Sequence, residues 1–376
     1  MKSRIIVIGG GLIGCAVATE LASRNFQVLL FEKHFPGQEA SWASAGMLAP
    51  QTEAKNPDPL FQLCIKSSSM YKDYVQELKE ITGLDPCYRT SGAIQIAFDQ
   101  SSIEQLLQSH KWQFEQGLKI EWLTHQQALD LEPNLSNEVA GALFYQDEFQ
   151  IDNRKLVETL ITAAERKGVE IHSGCQVTEI LTDNYSVTGI VANEKRYSAC
   201  KVINAAGSWG SMLKVEDRFL PKVFPVRGQM VSLKTSPSLL KQTVHFDHYY
   251  LVPRFDGTII VGSTTEQVGY EKRVTTAGLE SLLANAQKVV PTLATASFKE
   301  AWAGLRPATE DGLPILGQHP EISGLIFATG HYRNGVLLVP ITAKLIAELV
   351  EKEQEPDQLL PFSPARFLMQ NCLPAV

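Results

Sequence analysis

The sequence predicts a mixed α/β fold with α+β character, in which a parallel sheet flanked by helices is interrupted by an inserted, largely antiparallel sheet. Three observations predict it. An apolar strand runs into a glycine-rich turn and a helix at the N-terminus. Two more strand-then-glycine endings recur at 201–207 and 324–330. Between them, alternating runs at 229–233, 249–253 and 258–262 are separated by turn residues such as Asp256-Gly257.

Ile5 to Ile8 is a β-branched apolar run, as expected of a strand buried on both faces of a parallel sheet. It feeds Gly9, Gly11 and Gly14 in a GxGxxG pattern, then the helical stretch Cys15 to Ser23, then a second strand, Val28 to Phe31, ending at Glu32. This is a Rossmann-like unit. Gly9 suits the tight turn, Gly11 lets a pyrophosphate approach the backbone, and Gly14 lets the helix lie on the strand. Glu32 stands 18 residues after Gly14, near the spacing of about 20 expected for an acid on a ribose hydroxyl. Its charge disfavours a 2′-phosphate and hence NADP. After Glu32 the chain leaves regular βαβ repeats and enters Ala40 to Met47, small residues suited either to packing on a large cofactor or to a flexible loop.

Further along, helices are expected over 60–80, 103–117, 126–131, 278–289 and 336–351, with Asn334-Gly335 opening the last. Asp152 is placed as the cap of a helix at 154–168. Strands are expected over 92–98, 169–172 and 176–182, with a hairpin leading into 196–207. The nucleotide domain is therefore discontinuous, over 1–80, 147–218 and 316–376, and a substrate domain takes 81–146 and 219–315.

Composition narrows the function. The 376 residues suggest about two or three domains. Hydrophobic residues make up 44% and charged residues 20%, which excludes wholesale disorder. A net charge of -7 with no basic block argues against nucleic acid or an anionic membrane as partner. Six scattered cysteines without CxxC fit a reduced, cytoplasmic chain, and no metal is expected. Lys2, Arg4 and the following apolar run resemble an export signal, but glycines interrupt the run and Glu20 and Arg24 follow it.

The segments GGGLIG with Glu32, SWASAGM at 41–47 and INAAGSW at 203–209 together resemble the D-amino-acid oxidase superfamily of FAD-dependent amine oxidases. Within it, HFDHYYLVPR at 245–254, WAGLRP at 302–307 and GHYRNG at 330–335 look most like the glycine oxidases of thiamine biosynthesis. The resemblance spans roughly 3–367. It implies that Arg306 holds the substrate carboxylate, that Tyr250 hydrogen-bonds the same group, and that Arg333 lines the pocket beside the flavin. It also implies non-covalent FAD, since no cysteine neighbours Arg306. FAD contacts are implied at Gly9, Gly11, Leu12, Ile13, Gly14, Glu32, Lys33, Ala40, Ser41, Ala45, Gly46, Met47, Val177 and Gly207. A further stretch comprises Gly330, His331, Tyr332, Arg333, Asn334, Gly335, Val336 and Leu337. One departure from the pattern is Thr265, where a methionine near the flavin is expected. The family habit is a homo-oligomer, often a tetramer.

These roles are chemically coherent. An arginine fork meets a carboxylate bidentately and stays charged. A hydride moving from the α-carbon to flavin N5 needs no protein base once the amine is neutral, so no catalytic histidine is nominated, and His248 and His331 are read as structural. Other readings stand beside them. Arg306 is equally a loop arginine paired to a buried acid such as Asp311, Arg333 a cap of the last helix, and Tyr250 a core residue. Trp209 and Trp302 are read as packing. The expected activity is oxidative deamination of glycine and other small amines or D-amino acids. The imine hydrolyses to glyoxylate and ammonia, or passes to thiazole synthesis, and O2 is reduced to H2O2. The rivals are a sarcosine, proline or D-amino-acid oxidase or dehydrogenase of the same fold, and a non-catalytic dinucleotide-binding redox sensor.

Overall fold

The computed structural model describes residues 4–215 and 220–370. The boundary placed at 218/219 and Cys372 lie outside them. The first strand, Arg4–Ile8, is the centre of a six-stranded sheet. It pairs in parallel with Gln27–Phe31 and with Lys201–Asn204, and Leu325–Thr329 and Glu170–His172 extend the parallel set. Ile315–Gln318 closes one edge antiparallel. Alternation along the strands feeds two cores. Ile5 and Val7 join the helices Leu12–Ser23, Asn153–Arg166 and Val339–Lys352 on one side. Ile6 and Ile8 meet a three-stranded antiparallel sheet, Val177–Asp183, Ser186–Ala192 and Lys195–Ser198, on the other.

The second sheet has eight strands, all neighbours antiparallel except Thr243–Phe246 beside Ala93–Ala97. One face buries Val231, Val244, Leu251 and Val261 against Leu282 and Ala286 of the helix Thr276–Val289. The other face carries Met230, Tyr250 and Trp302 and turns towards the first sheet. The long helix Pro59–Thr82 buttresses both the core and the site: its Tyr71 hydroxyl donates to the Val336 carbonyl, and its Ser67 hydroxyl donates to that of Leu337 at 2.6 Å.

Two expectations change. The last helix begins at Val339 rather than near 336, because Tyr332–Asn334 forms a separate tight turn and Pro340, pre-set for a first helical turn, follows. Arg306 is not in a loop. It sits in the twelve-residue strand Ser297–Ala308, at the edge of the large sheet, where Pro307 can be tolerated without a ladder hydrogen bond.

Candidate active site

A cavity of about 450 Å³ opens where the two sheets face one another. Its rear wall is Ile8-Gly9, Ala205 to Gly207 and Ala328-Thr329, the carboxyl ends of three parallel strands. Ligands bind at this edge in open α/β sheets. Gly9 adopts φ +104°, and a side chain there would come within 2.5 Å of the Ala205 carbonyl oxygen. Gly14 does not line the cavity; a methyl group there would lie 1.8 Å from the Gly9 carbonyl oxygen, so its absence lets the helix sit on the turn. Gly330 is likewise behind the wall, against Thr309. Every other residue for which a cofactor contact is expected lines the cavity.

Glu32 is almost fully buried, and its two oxygens accept from the Gly10 amide at 2.8 Å and the His34 amide at 3.1 Å. It braces the glycine turn as well as facing the cavity. Ser41 completes the helix start, its hydroxyl accepting from the Leu12 amide at 2.9 Å. The small residues from 40 to 47 serve two surfaces. Ala40, Ser41, Ala45, Gly46 and Met47 face the cavity, while Ala43 also packs on Gly304, where a methyl would come within 2.5 Å of it. Trp302 donates to the Ala43 carbonyl at 2.9 Å and stays out of this cavity, a packing role. Trp209 lines it, with the Lys33 ammonium 3.2 Å from its ring centroid. Glycine turn, helix start, terminal acid and small-residue wall form a groove that fits an extended dinucleotide.

The far end is built on the bare face of the large sheet. Gly228, Gly262 and Gly304 share that face with Arg306, Met230 and Tyr250 through direct cross-strand pairing. A methyl on Gly228 would meet the Arg306 guanidinium at 2.2 Å, so the glycine is what lets that side chain lie over the sheet. Arg306 donates to the Ser263 hydroxyl at 2.5 Å and the Thr264 carbonyl at 3.2 Å, and has no carboxylate partner among the described residues. Asp311 pairs with Arg366 instead, at 2.6 Å. The Tyr250 hydroxyl rests on the Met230 sulfur at 3.3 Å, a weak acceptor.

Arg333 differs. It forms a bidentate pair with Glu53, Nε to Oε2 at 2.6 Å and Nη2 to Oε1 at 2.7 Å. Burial pushes the Glu53 carboxyl up, but the Arg333 guanidinium outweighs it and holds the carboxyl below its ordinary range. Arg333 is correspondingly kept charged. Behind them sits His245, buried, its Nε2 without a hydrogen-bond partner among the described residues; burial lowers it to about 4, so it is neutral at physiological pH. Burial likewise lowers His331 to about 3, and its Nε2 meets the Thr342 hydroxyl at 3.1 Å. His248 packs against the Tyr249 ring, tilted by 36°, away from the cavity.

Sequence reasoning missed Glu53, Met230, Ser263 and Thr264. Glu53 follows a non-periodic turn and nothing local marks it. Thr265 is exposed and off the cavity; it lies past the end of the strand Thr258–Gly262, and its neighbours Ser263 and Thr264 offer Arg306 a hydroxyl and a backbone carbonyl as acceptors. The methionine on the sheet face beside Tyr250 is Met230, supplied by the adjacent strand.

The family model described as FAD dependent oxidoreductase (DAO) matches residues 4–349. Glycine oxidase of Geobacillus kaustophilus is 35% identical over 368 residues, covering 97% of each chain. The bifunctional protein ThiO/ThiG of Synechocystis sp. is 37% identical over 374 residues, covering 97% of this chain and 54% of that one. The crystal structure of the Geobacillus kaustophilus glycine oxidase superposes with a TM-score of 0.93 at 34% identity, over 96% of this chain and 98% of the other. With a glycine turn, strand-end acid and facing antiparallel sheet already in place, these matches make the chain a member of the DAO family of FAD-dependent oxidoreductases.

Proposed function

We propose that the chain is a glycine-oxidising flavoenzyme, converting glycine, O2 and water to glyoxylate, ammonia and H2O2, in service of thiazole formation. One observation carries the substrate reading. Of the two arginines at the sheet end of the cavity, Arg333 is already neutralised by Glu53, whereas Arg306 lacks a carboxylate partner among the described residues. Arg306 therefore takes the substrate carboxylate, and Tyr250 exchanges its weak sulfur contact for a hydrogen bond to the same group. FAD, held by the glycine turn and the small-residue wall, would supply the two-electron acceptor for the α-hydride and for the reduction of O2. The chain's own share is to orient the α-carbon and keep the site dry. Met230 and the rim of small residues suit a small amine. The stretch 331–337, with Ala40, Ser41 and Ala45 to Met47, holds the cofactor. We assign the two sheets to interleaved domains, 1–80, 147–218 and 316–376 for the cofactor and 81–146 and 219–315 for the substrate. The protein acts as a cytoplasmic homo-oligomer, which a sizing column checks.

The test is peroxide release by the FAD-loaded protein with glycine, sarcosine, D-alanine and D-proline. Peroxide with glycine at least as efficient as with the others is expected; peroxide with a larger substrate alone moves the assignment to another amine. Arg306→Ala should retain flavin and lower kcat/KM for glycine roughly hundredfold, mainly through KM. A KM that barely moves would remove the carboxylate assignment.

A further inference from the structure

A second cavity, of about 220 Å³, lies on the same face of the large sheet, beyond the Trp302–Met230 contact. Ser232, two residues past Met230 and so about 7 Å along the strand, is on its floor. Its chemistry is unlike that of the acidic chain as a whole. Five cations line it (Arg89, Arg154, Lys155, Arg254 and Lys299) against three acids. Each acid is already engaged. Asp152 caps the helix Asn153–Arg166, Asp256 takes Lys234 at 3.1 Å, and Glu300 takes Arg154 at 2.7 Å.

Two guanidiniums are left with only neutral partners. Arg89 donates to the carbonyls of Pro253 and Lys241. Arg254 donates to the carbonyls of Ala45 and Ile151 and to the side-chain oxygens of Gln150 and Asn153. Burial lowers Arg254 to about 10, a measure of how poorly its charge is compensated. In addition, three polar atoms of the lining are buried with no hydrogen-bond partner among the described residues: Gln150 Nε2, Arg154 Nη2 and the Ser232 hydroxyl. Gln150 and Ser232 are each 1% exposed. Unpaired buried donors beside uncompensated positive charge are costly unless an acceptor joins them.

We propose that this cavity is a binding site for a small oxyanion, a carboxylate or a phosphate, distinct from the cofactor cavity. A planar guanidinium fork and a hydroxyl are the donors that such a group takes. Occupancy would be felt next door, since Arg254 holds the Ala45 carbonyl and Trp302 the Ala43 carbonyl, both in the cofactor wall.

The test reads binding rather than turnover, so its failure leaves the proposed function untouched. Inorganic phosphate and acetate are titrated calorimetrically, at fixed ionic strength, into the FAD-loaded full chain carrying Arg306→Ala, which removes the carboxylate-binding guanidinium of the first cavity. Saturable millimolar or tighter binding is expected, weakened at least about tenfold by Lys299→Met and by the cavity-filling Ser232→Leu. Tighter phosphate than acetate identifies a phosphate-bearing ligand, and the reverse a carboxylate. Circular dichroism and flavin content verify each variant's fold, and Lys299, whose ammonium contacts Thr258 and Asp256 at the rim, is the gentler change. No saturable heat with either probe, or binding unchanged in both variants, overturns the site.

Discussion

Glu53 and Arg333 show how a charge can be legible in sequence while its state is not. Arg333 was readable as a pocket residue from its motif, but its bidentate partner lies 280 residues away. Only the fold shows that Arg333 is neutralised and Arg306 is not. Glu53→Gln would leave a largely buried guanidinium without its counter-ion, and should cost about 3 kcal/mol of stability; a urea midpoint equal to that of the parent would show the pair to be dispensable. The buried imidazoles make a second prediction. His245 and His331 have folded-state values of about 4 and about 3, below the unfolded value near 6.5. Between those limits the unfolded chain binds more protons, so stability is full above about 6.5 and falls as the pH drops. Each imidazole should remove about 2 kcal/mol between pH 6.5 and 5, and Glu53, held low by Arg333, adds a further loss below about 4.5. Denaturant midpoints at the two pH values check this, and a flat profile would contradict it. Substituting His331 by Asn should shallow the slope.

At the scale of elements, the sequence revealed most where local rules are strong. The first strand, turn, helix and acid were readable because strand alternation, tight turn and helix packing each demand a specific residue within 32 positions. The expected cap Asp152 bonds the backbone amides of Arg154 and Lys155, so the boundaries of its helix fall within a few residues of expectation. The strand Ser297–Ala308 was hidden because Gly304 and Pro307 interrupt its pattern, although these are the residues that the floor of the cavity and a sheet edge accommodate. Thr265 misled for a related reason: it lies beyond the strand Thr258–Gly262, where motif position does not say which residues still face the site. The element most exposed to a single change is the turn from strand to first helix. Gly14→Ala places a methyl against a backbone carbonyl that has no room to yield, and at least about 2 kcal/mol of stability should go with much of the bound flavin. The ratio of flavin to protein after purification measures the second effect, and full occupancy would show that the helix can shift without harm.

For the molecule as a whole, the resemblance of motifs was enough to foresee two sheets and most of the cofactor wall, but not Glu53 or the acceptors of Arg306 at the far end of the cavity. Its walls draw on residues from Ile8 to Leu337, brought together only by the finished topology. FAD bound there should stabilise both sheets together. At a free concentration a hundred times its dissociation constant it adds about 2.7 kcal/mol. Thermal scans of the protein before and after flavin removal test this, with a higher, single transition expected for the loaded form; two transitions, only one of them raised, would mean that the cofactor grips one sheet alone. The same long-range closure has a consequence during synthesis. The strand Leu325–Thr329 and the turn after it complete the rear wall, and they come about 300 residues after the glycine turn that forms its other part. A nascent chain can form the glycine turn early, yet it has no enclosed place for a flavin until residues 325–337 have been made. Cofactor loading therefore waits until that segment has been made and has folded back, and in flavin-starved cells quality control must tolerate a folded apoprotein.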